Sequence, residues 1–181
     1  MDREAFDKIL CSSSATQQDI DEFYWLVNKA EATQPEAIME IGVYVGGSLK
    51  FWEQLLPIGG LLIAIDRDDP KIHVAWNWQD SKRKIVLVHG VSTDPTTIAQ
   101  VEKALMDPNY GHGKPVDFIF IDATHDSESV RKDFEAYTPY LRKGGLVGFH
   151  DVGECRQFFN SLQGRKEELT KRIGTGAWWK G

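Results

Sequence analysis

Five short apolar runs constrain this chain more than any other feature: AIMEIGV (37–43), GLLIAID (60–66), KIVLVHG (84–90), VDFIFID (116–122) and GLVGFHDV (145–152). They are continuous in Val, Ile, Leu and Phe rather than alternating, and a helical pattern follows each. SLKFWEQLL (48–56) places Leu49, Phe51, Trp52, Leu55 and Leu56 mainly on one helix face. A second helix starts at about Asp94, with Pro95 at its first position. SESVRKDFEAYTPYL (127–141) is a third, which Pro139 kinks or ends early before Gly144 and Gly145 stop it. Residues 153–163 read as a helix, and QQDIDEFYWLVNKAEA (17–32) as one that precedes the first strand. Buried strands alternating with helices require a parallel sheet covered on both faces. EELTKRIGTGAWWKG adds two short strands about a Gly-Thr-Gly turn. The expectation is an α/β, Rossmann-like doubly wound sheet of about seven strands, mostly parallel with an antiparallel C-terminal strand. One domain is expected over 1–181, with an N-terminal helical segment (1–35) and a cofactor-binding core (36–152).

Charge and composition remove several classes of function. A formal net charge of −6 argues against a nucleic-acid partner, and SKRK (81–84) and GRK (164–166) are too short for a basic stripe. Cys11 and Cys155 have neither zinc-site nor disulfide-framework spacing, as suits a reducing cytoplasm. No apolar run reaches the roughly 20 residues that span a bilayer, and the acidic N-terminus does not read as a signal peptide. A soluble cytoplasmic protein without a membrane partner is expected.

In doubly wound sheets ligands bind beyond the carboxyl ends of the strands. Those ends read Glu40-Ile41-Gly42, Ile65-Asp66, His89-Gly90, Ile121-Asp122 and His150-Asp151. The first loop runs G-x-x-x-G-G, with Tyr44 where the dinucleotide fingerprint needs its second glycine. That glycine lets the backbone approach a pyrophosphate, so a diphosphate is disfavoured here. Glu40 would repel a phosphate and suits an ammonium group, while Asp66 stands where a carboxylate commonly takes a ribose diol. The two acids together ask for a positively charged nucleoside without phosphate.

The segments EIGVYVGGS, AID, HGVS and FIDATHDSESVRKDFEAYTPYLRKGGLVGFHDV resemble class I S-adenosylmethionine-dependent methyltransferases over residues 36–152. More narrowly they resemble the metal-dependent small-molecule O-methyltransferases of the cephalosporin-biosynthesis and macrolide-sugar group. The resemblance implies that Glu40, Gly42 and Gly46 line the methionine moiety of S-adenosylmethionine and that Ser48 bonds its carboxylate. It also implies that Asp66 takes the ribose hydroxyls and that Ser92 lies near the adenine, although Val91 stands where the family commonly has an acid. Asp122, counted with the cofactor contacts as well, and Asp151 would hold a divalent metal, usually Mg2+. His150, where several relatives carry a carboxylate, is a weaker ligand or a support. Imidazole favours transition metals over magnesium, which leaves the identity of the metal open. His125 would be the general base, an imidazole titrating near neutral pH.

The implied reaction is metal-assisted O-methylation of a small-molecule hydroxyl by direct displacement. Trp76, Trp78, Trp178 and Trp179 are candidate aromatic walls for the acceptor, and a homodimer partner is one way of completing that pocket. Two other readings share these residues: a catalytically silent S-adenosylmethionine-binding module, and a metal-dependent hydrolase built on Asp122, His125, His150 and Asp151.

Overall fold

The computed structural model describes residues 1–12, 18–69 and 78–181. The elements are α1 (Arg3–Ser12), α2 (Ile20–Glu31), β1 (Ala37–Ile41), α3 (Leu49–Leu55), β2 (Leu61–Asp66), β3 (Lys84–His89), α4 (Pro95–Met106), β4 (Val116–Ile121), α5 (Ser127–Tyr137), β5 (Leu141–Phe149), α6 (Arg156–Ser161), β6 (Lys166–Leu169) and β7 (Thr175–Trp179). The sheet has seven strands in the order β3-β2-β1-β4-β5-β7-β6. Strands β1 to β5 pair in parallel, and β7 runs antiparallel to both β5 and β6. The mostly parallel, doubly wound α/β architecture read from the apolar runs is the one formed.

Two apolar layers cover the sheet. Met39, Ile41, Ile63, Ile119 and Val147 pack on one face with α4, α5 and α6. Ile38, Leu62, Phe118 and Phe120 pack on the other with α1, α2 and α3. On this second face Phe6, Phe23, Phe51 and Trp52 interlock, the Phe6–Phe51 centroids lying 4.7 Å apart and the Phe23–Trp52 centroids 5.3 Å apart. The helix pattern over 17–32 left α1 unassigned, and Phe6 is what fixes it against α2 and α3. The helix starts follow local chemistry. Asp19 accepts from the Asp21 and Glu22 amides, and Asp126 from those of Glu128 and Ser129.

Two boundaries differ from the sequence expectation. Strand β5 begins at Leu141, not Gly145, because Leu141 is buried and Gly144 (φ +71°) folds the extra residues into a bulge opposite Val116 and Phe118. The last turn lies within 170–174, and Thr175 and Gly176 already belong to β7. The buried Glu22 of α2 dictates this turn. Its Oε1 accepts from the Lys171 and Arg172 amides at 2.6 Å, and its Oε2 from that of Gly174 at 2.9 Å. Gly176 is needed within the strand, since a Cβ there would stand 2.6 Å from Phe159. Among the described residues no helix is long and apolar enough to cross a membrane.

Glu22→Ala strands three backbone donors and is expected to cost about 3 kcal/mol in urea unfolding. Glu22→Gln, which keeps one oxygen acceptor, is expected to lose less.

Candidate active site

The carboxyl ends of β1, β2, β3 and β4 open into one cavity of about 740 Å³. Gly42 makes that convergence possible. At φ +87°, its α-carbon lies so close to the next strand end that a Cβ would fall 2.3 Å from the Asp122 carbonyl oxygen. The Gly42 amide donates to Ile65 O and the Asp122 amide to Ile41 O, so the ends of β1, β2 and β4 are laced together.

On one side of the cavity Asp66 shapes the glycine turn. Its Oδ2 accepts from the Val43 and Tyr44 amides at 2.7 and 2.9 Å, and its Oδ1 from Asp68 N at 2.9 Å. These bonds hold Tyr44 in the left-handed region (φ +48°), and the residue is 65% exposed at the mouth. An ionised carboxylate offers about four acceptor sites, so Asp66 keeps room for one hydroxyl donor. Glu40 lies under the cavity, not on its wall. It is fully buried, accepts from the Ser48 hydroxyl through Oε1, and has no hydrogen-bond partner at Oε2. Burial first, and then the charges of Asp122 and Asp66, push its carboxyl well above the ordinary range, against the pull of Ser48. Ser48 borders the cavity, but its proton is spent on Glu40. Gly46 (φ +76°) sets the turn through a bond from its amide to Val43 O, and it too is absent from the cavity wall.

Ser92 borders the cavity beside Val91. Its hydroxyl donates to Asp133 Oδ1 at 2.5 Å, and its carbonyl accepts from Tyr137 OH at 2.5 Å. Asp133 was not singled out in the sequence, yet it shares the buried face of α5 with Val130 and Tyr137, and an acid at such a position is a readable signal. Burial raises its carboxyl to about 6, with the Ser92 hydrogen bond acting in the opposite direction.

Across the cavity stand Asp122, His125 and His150, each offering a ligand atom within 4.8 Å of the others. His150 Nδ1 is 2.7 Å from Asp122 Oδ1 and 3.6 Å from Asp151 Oδ2. His125 Nδ1 is 2.5 Å from Asp151 Oδ2, and its Nε2 is 3.4 Å from Asp122 Oδ1. His150 is 5% exposed, and neither of its ring nitrogens has a hydrogen-bond partner. Leaving buried polar groups unpaired costs about 1–3 kcal/mol each. Asp151 sits at φ +49°, a conformation Asp tolerates, which turns its carboxylate toward His125 and away from the cavity wall. Interaction with Asp122 is the largest influence raising His125 above the ordinary imidazole value, although Asp151 is the nearer carboxylate; burial works against it, and the charges of Asp151, Asp122 and Glu154 add to it.

Sequence reasoning missed Gln18. Its amide donates to Asp122 Oδ2 at 2.5 Å, holding that oxygen away from the histidines. A glutamine so remote in sequence from Asp122 carries no local signal. Among the described residues, Trp78, Trp178 and Trp179 do not wall the cavity. Trp178 packs on α5, with its indole N–H bonded to Gln163 O, and Trp179 lies under the Arg165 guanidinium, 4.0 Å from the ring centroid. Trp78 packs against the aromatic layer, and Trp76 lies outside the described residues.

A family profile described as "Methyltransferase domain" matches residues 39–152. Demethylmacrocin O-methyltransferase of Streptomyces fradiae is 30% identical over 122 residues, which are 64% of this chain and 27% of that protein. The chain spans between 27% and 60% of the length of the curated relatives it matches. An O-methyltransferase from Bacillus cereus, solved in complex with SAH, superposes with a TM-score of 0.68 at 17% identity, covering 99% of this chain and 92% of that one. The MycE methyltransferase of the mycinamycin biosynthetic pathway, solved with Mg, SAH and mycinamycin VI, gives 0.65 at 18% identity over 97% of this chain and 53% of that one. At these identities the structural likeness establishes the fold.

The native state binds the Asp133 proton more tightly than the unfolded chain does, so this group's contribution to stability is present at low pH and is lost as pH rises through about 6. Asp133→Asn should therefore match the parent protein near pH 4 and exceed it by about 2 kcal/mol near pH 7.5, as read by urea unfolding at each pH.

Proposed function

Since the chain belongs to the methyltransferase-domain family, we propose that it transfers a methyl group from S-adenosylmethionine to a hydroxyl of a small molecule, with a divalent cation assisting. The observation that carries this reading is the pairing of two unlike rims across one cavity. Asp66 and the glycine turn form one, and Asp122, His125 and His150 the other. The relatives support it: one named as an O-methyltransferase, one solved with SAH, and one solved with Mg, SAH and mycinamycin VI.

The residues fit both implied groups. The cavity lies within the range that encloses small ligands, about 300–1,000 Å³. Among the described residues Asp66, Asp68 and Asp122 line it against one arginine, Arg67, which favours a cationic nucleoside. When bound, the cofactor supplies an electrophilic methyl group on a sulfonium centre. Asp122 and His150 are the residues that would hold the cation, which when bound supplies Lewis acidity toward the acceptor hydroxyl.

The chain's own residues do the rest. Asp151 takes up the Nδ1 side of the His125 ring and leaves Nε2 to accept the hydroxyl proton. The carboxylates that raise His125 help it retain that proton once taken. Gln18 occupies Asp122 Oδ2 and so turns Oδ1 toward the two histidines. Tyr44 and Val91, 65% and 48% exposed, give the mouth an apolar lip.

Calorimetry with S-adenosylmethionine and S-adenosylhomocysteine, with and without a divalent cation, tests the reading. Both nucleosides are expected to bind, and binding of neither would overturn it. Asp66→Ala should weaken nucleoside binding while cation binding persists. His125→Gln should slow transfer about 10²- to 10⁴-fold with nucleoside affinity retained. Nucleoside binding without turnover of any acceptor offered would fit a silent binding module instead.

A further inference from the structure

His150 poses a problem that the transfer reaction alone does not resolve. It is buried at the cavity wall, and both ring nitrogens lack a hydrogen-bond partner. Its Nδ1 lies 2.7 Å from Asp122 Oδ1, a hydrogen-bonding distance without hydrogen-bonding alignment. A protonated imidazole paired with Asp122 would direct its N–H along that line. Instead the nitrogen and the carboxylate oxygen lie side by side without the alignment of a hydrogen bond.

The neighbouring groups do not relieve this. Asp151 Oδ2 is engaged by His125 Nδ1 at 2.5 Å, and Asp151 Oδ1 is itself buried without a partner. Gln18 serves only the far oxygen of Asp122. A metal cation bound between them would satisfy the nitrogen lone pair and the carboxylate oxygen together.

We propose that His150 is a nitrogen ligand of the cation site it forms with Asp122, and that this ligand turns the site from magnesium toward later first-row cations such as Co2+ or Zn2+. The inference rests on the cation-assisted reading above and specifies which cation the site selects. Magnesium takes hard oxygen ligands and keeps several waters, whereas imidazole nitrogen gains affinity along the series from Mn2+ to Cu2+. Asp151 then serves as a carboxylate behind His125, not as a ligand, and the metal is held by one oxygen and one nitrogen of the chain.

The test is direct cation binding to the chelator-treated full chain, with no methyl donor or acceptor present. Calorimetric titrations with MgCl2 and CoCl2 give the affinity ratio, and the visible absorption of bound Co2+ reports nitrogen ligation. Co2+ is expected to bind at least about a hundredfold more tightly than Mg2+. His150→Asp and His150→Asn, each checked for native near-ultraviolet circular dichroism, should lower that ratio by at least about tenfold and alter the Co2+ bands. His125→Gln should leave the ratio unchanged. A ratio unmoved in whichever His150 variant folds, or one lost in His125→Gln, would overturn the assignment of His150 while leaving cation assistance intact. Failure of every cation to bind would remove cation assistance itself, and the inference with it.

Discussion

The site depends on a backbone contact at which no side chain can be accommodated. Gly42 leaves β1 with its α-carbon against the Asp122–Ala123 peptide, so the loops after β1 and β4 meet at the point where the sheet order changes direction. In a doubly wound sheet the crevice opens where neighbouring strands send their connections to opposite faces. Here the two loops are drawn together at the base of that crevice, and the candidate site residues flank it. Asp66 faces the cavity from one side, and Asp122 with the two histidines from the other.

The polar groups around this contact fall into two layers. Asp66, at the wall, keeps spare hydrogen-bonding capacity. Those beneath it, Glu40 and Asp133, are buried and bonded to hydroxyls that reach the wall, Ser48 and Ser92. Each buried acid fixes the orientation of one serine and costs desolvation to keep. Two serines at the cavity wall are thus held from below by groups that do not reach the wall.

Much of the fold was legible because continuous apolar runs leave few alternatives to a covered parallel sheet, and all five became parallel strands. The residues gathered at strand ends were legible for the same reason, since Asp66, Asp122, His125 and His150 all reach one cavity. What could not be read was decided by tertiary contacts. The side of the wall on which Glu40 falls depends on the pleat of β1, which turns it toward Trp52 and Ser48. The C-terminal turn shifted because a distant buried glutamate binds its amides. Trp78, Trp178 and Trp179, large and partly polar, went to the sheet faces, where such side chains pack well without any ligand.

Glu22 has a consequence beyond stability. It sits on the first turn of α2, and Gln18 lies about one helical turn ahead of it. With Glu22 bound to three amides of the 171–174 segment, α2 can neither roll nor slide along the sheet without breaking them. The C-terminal hairpin therefore works as a distant clamp on the angle at which Gln18 meets Asp122. Sequence drift in that hairpin, far from the cavity, would be felt first in the bond from Gln18 to Asp122.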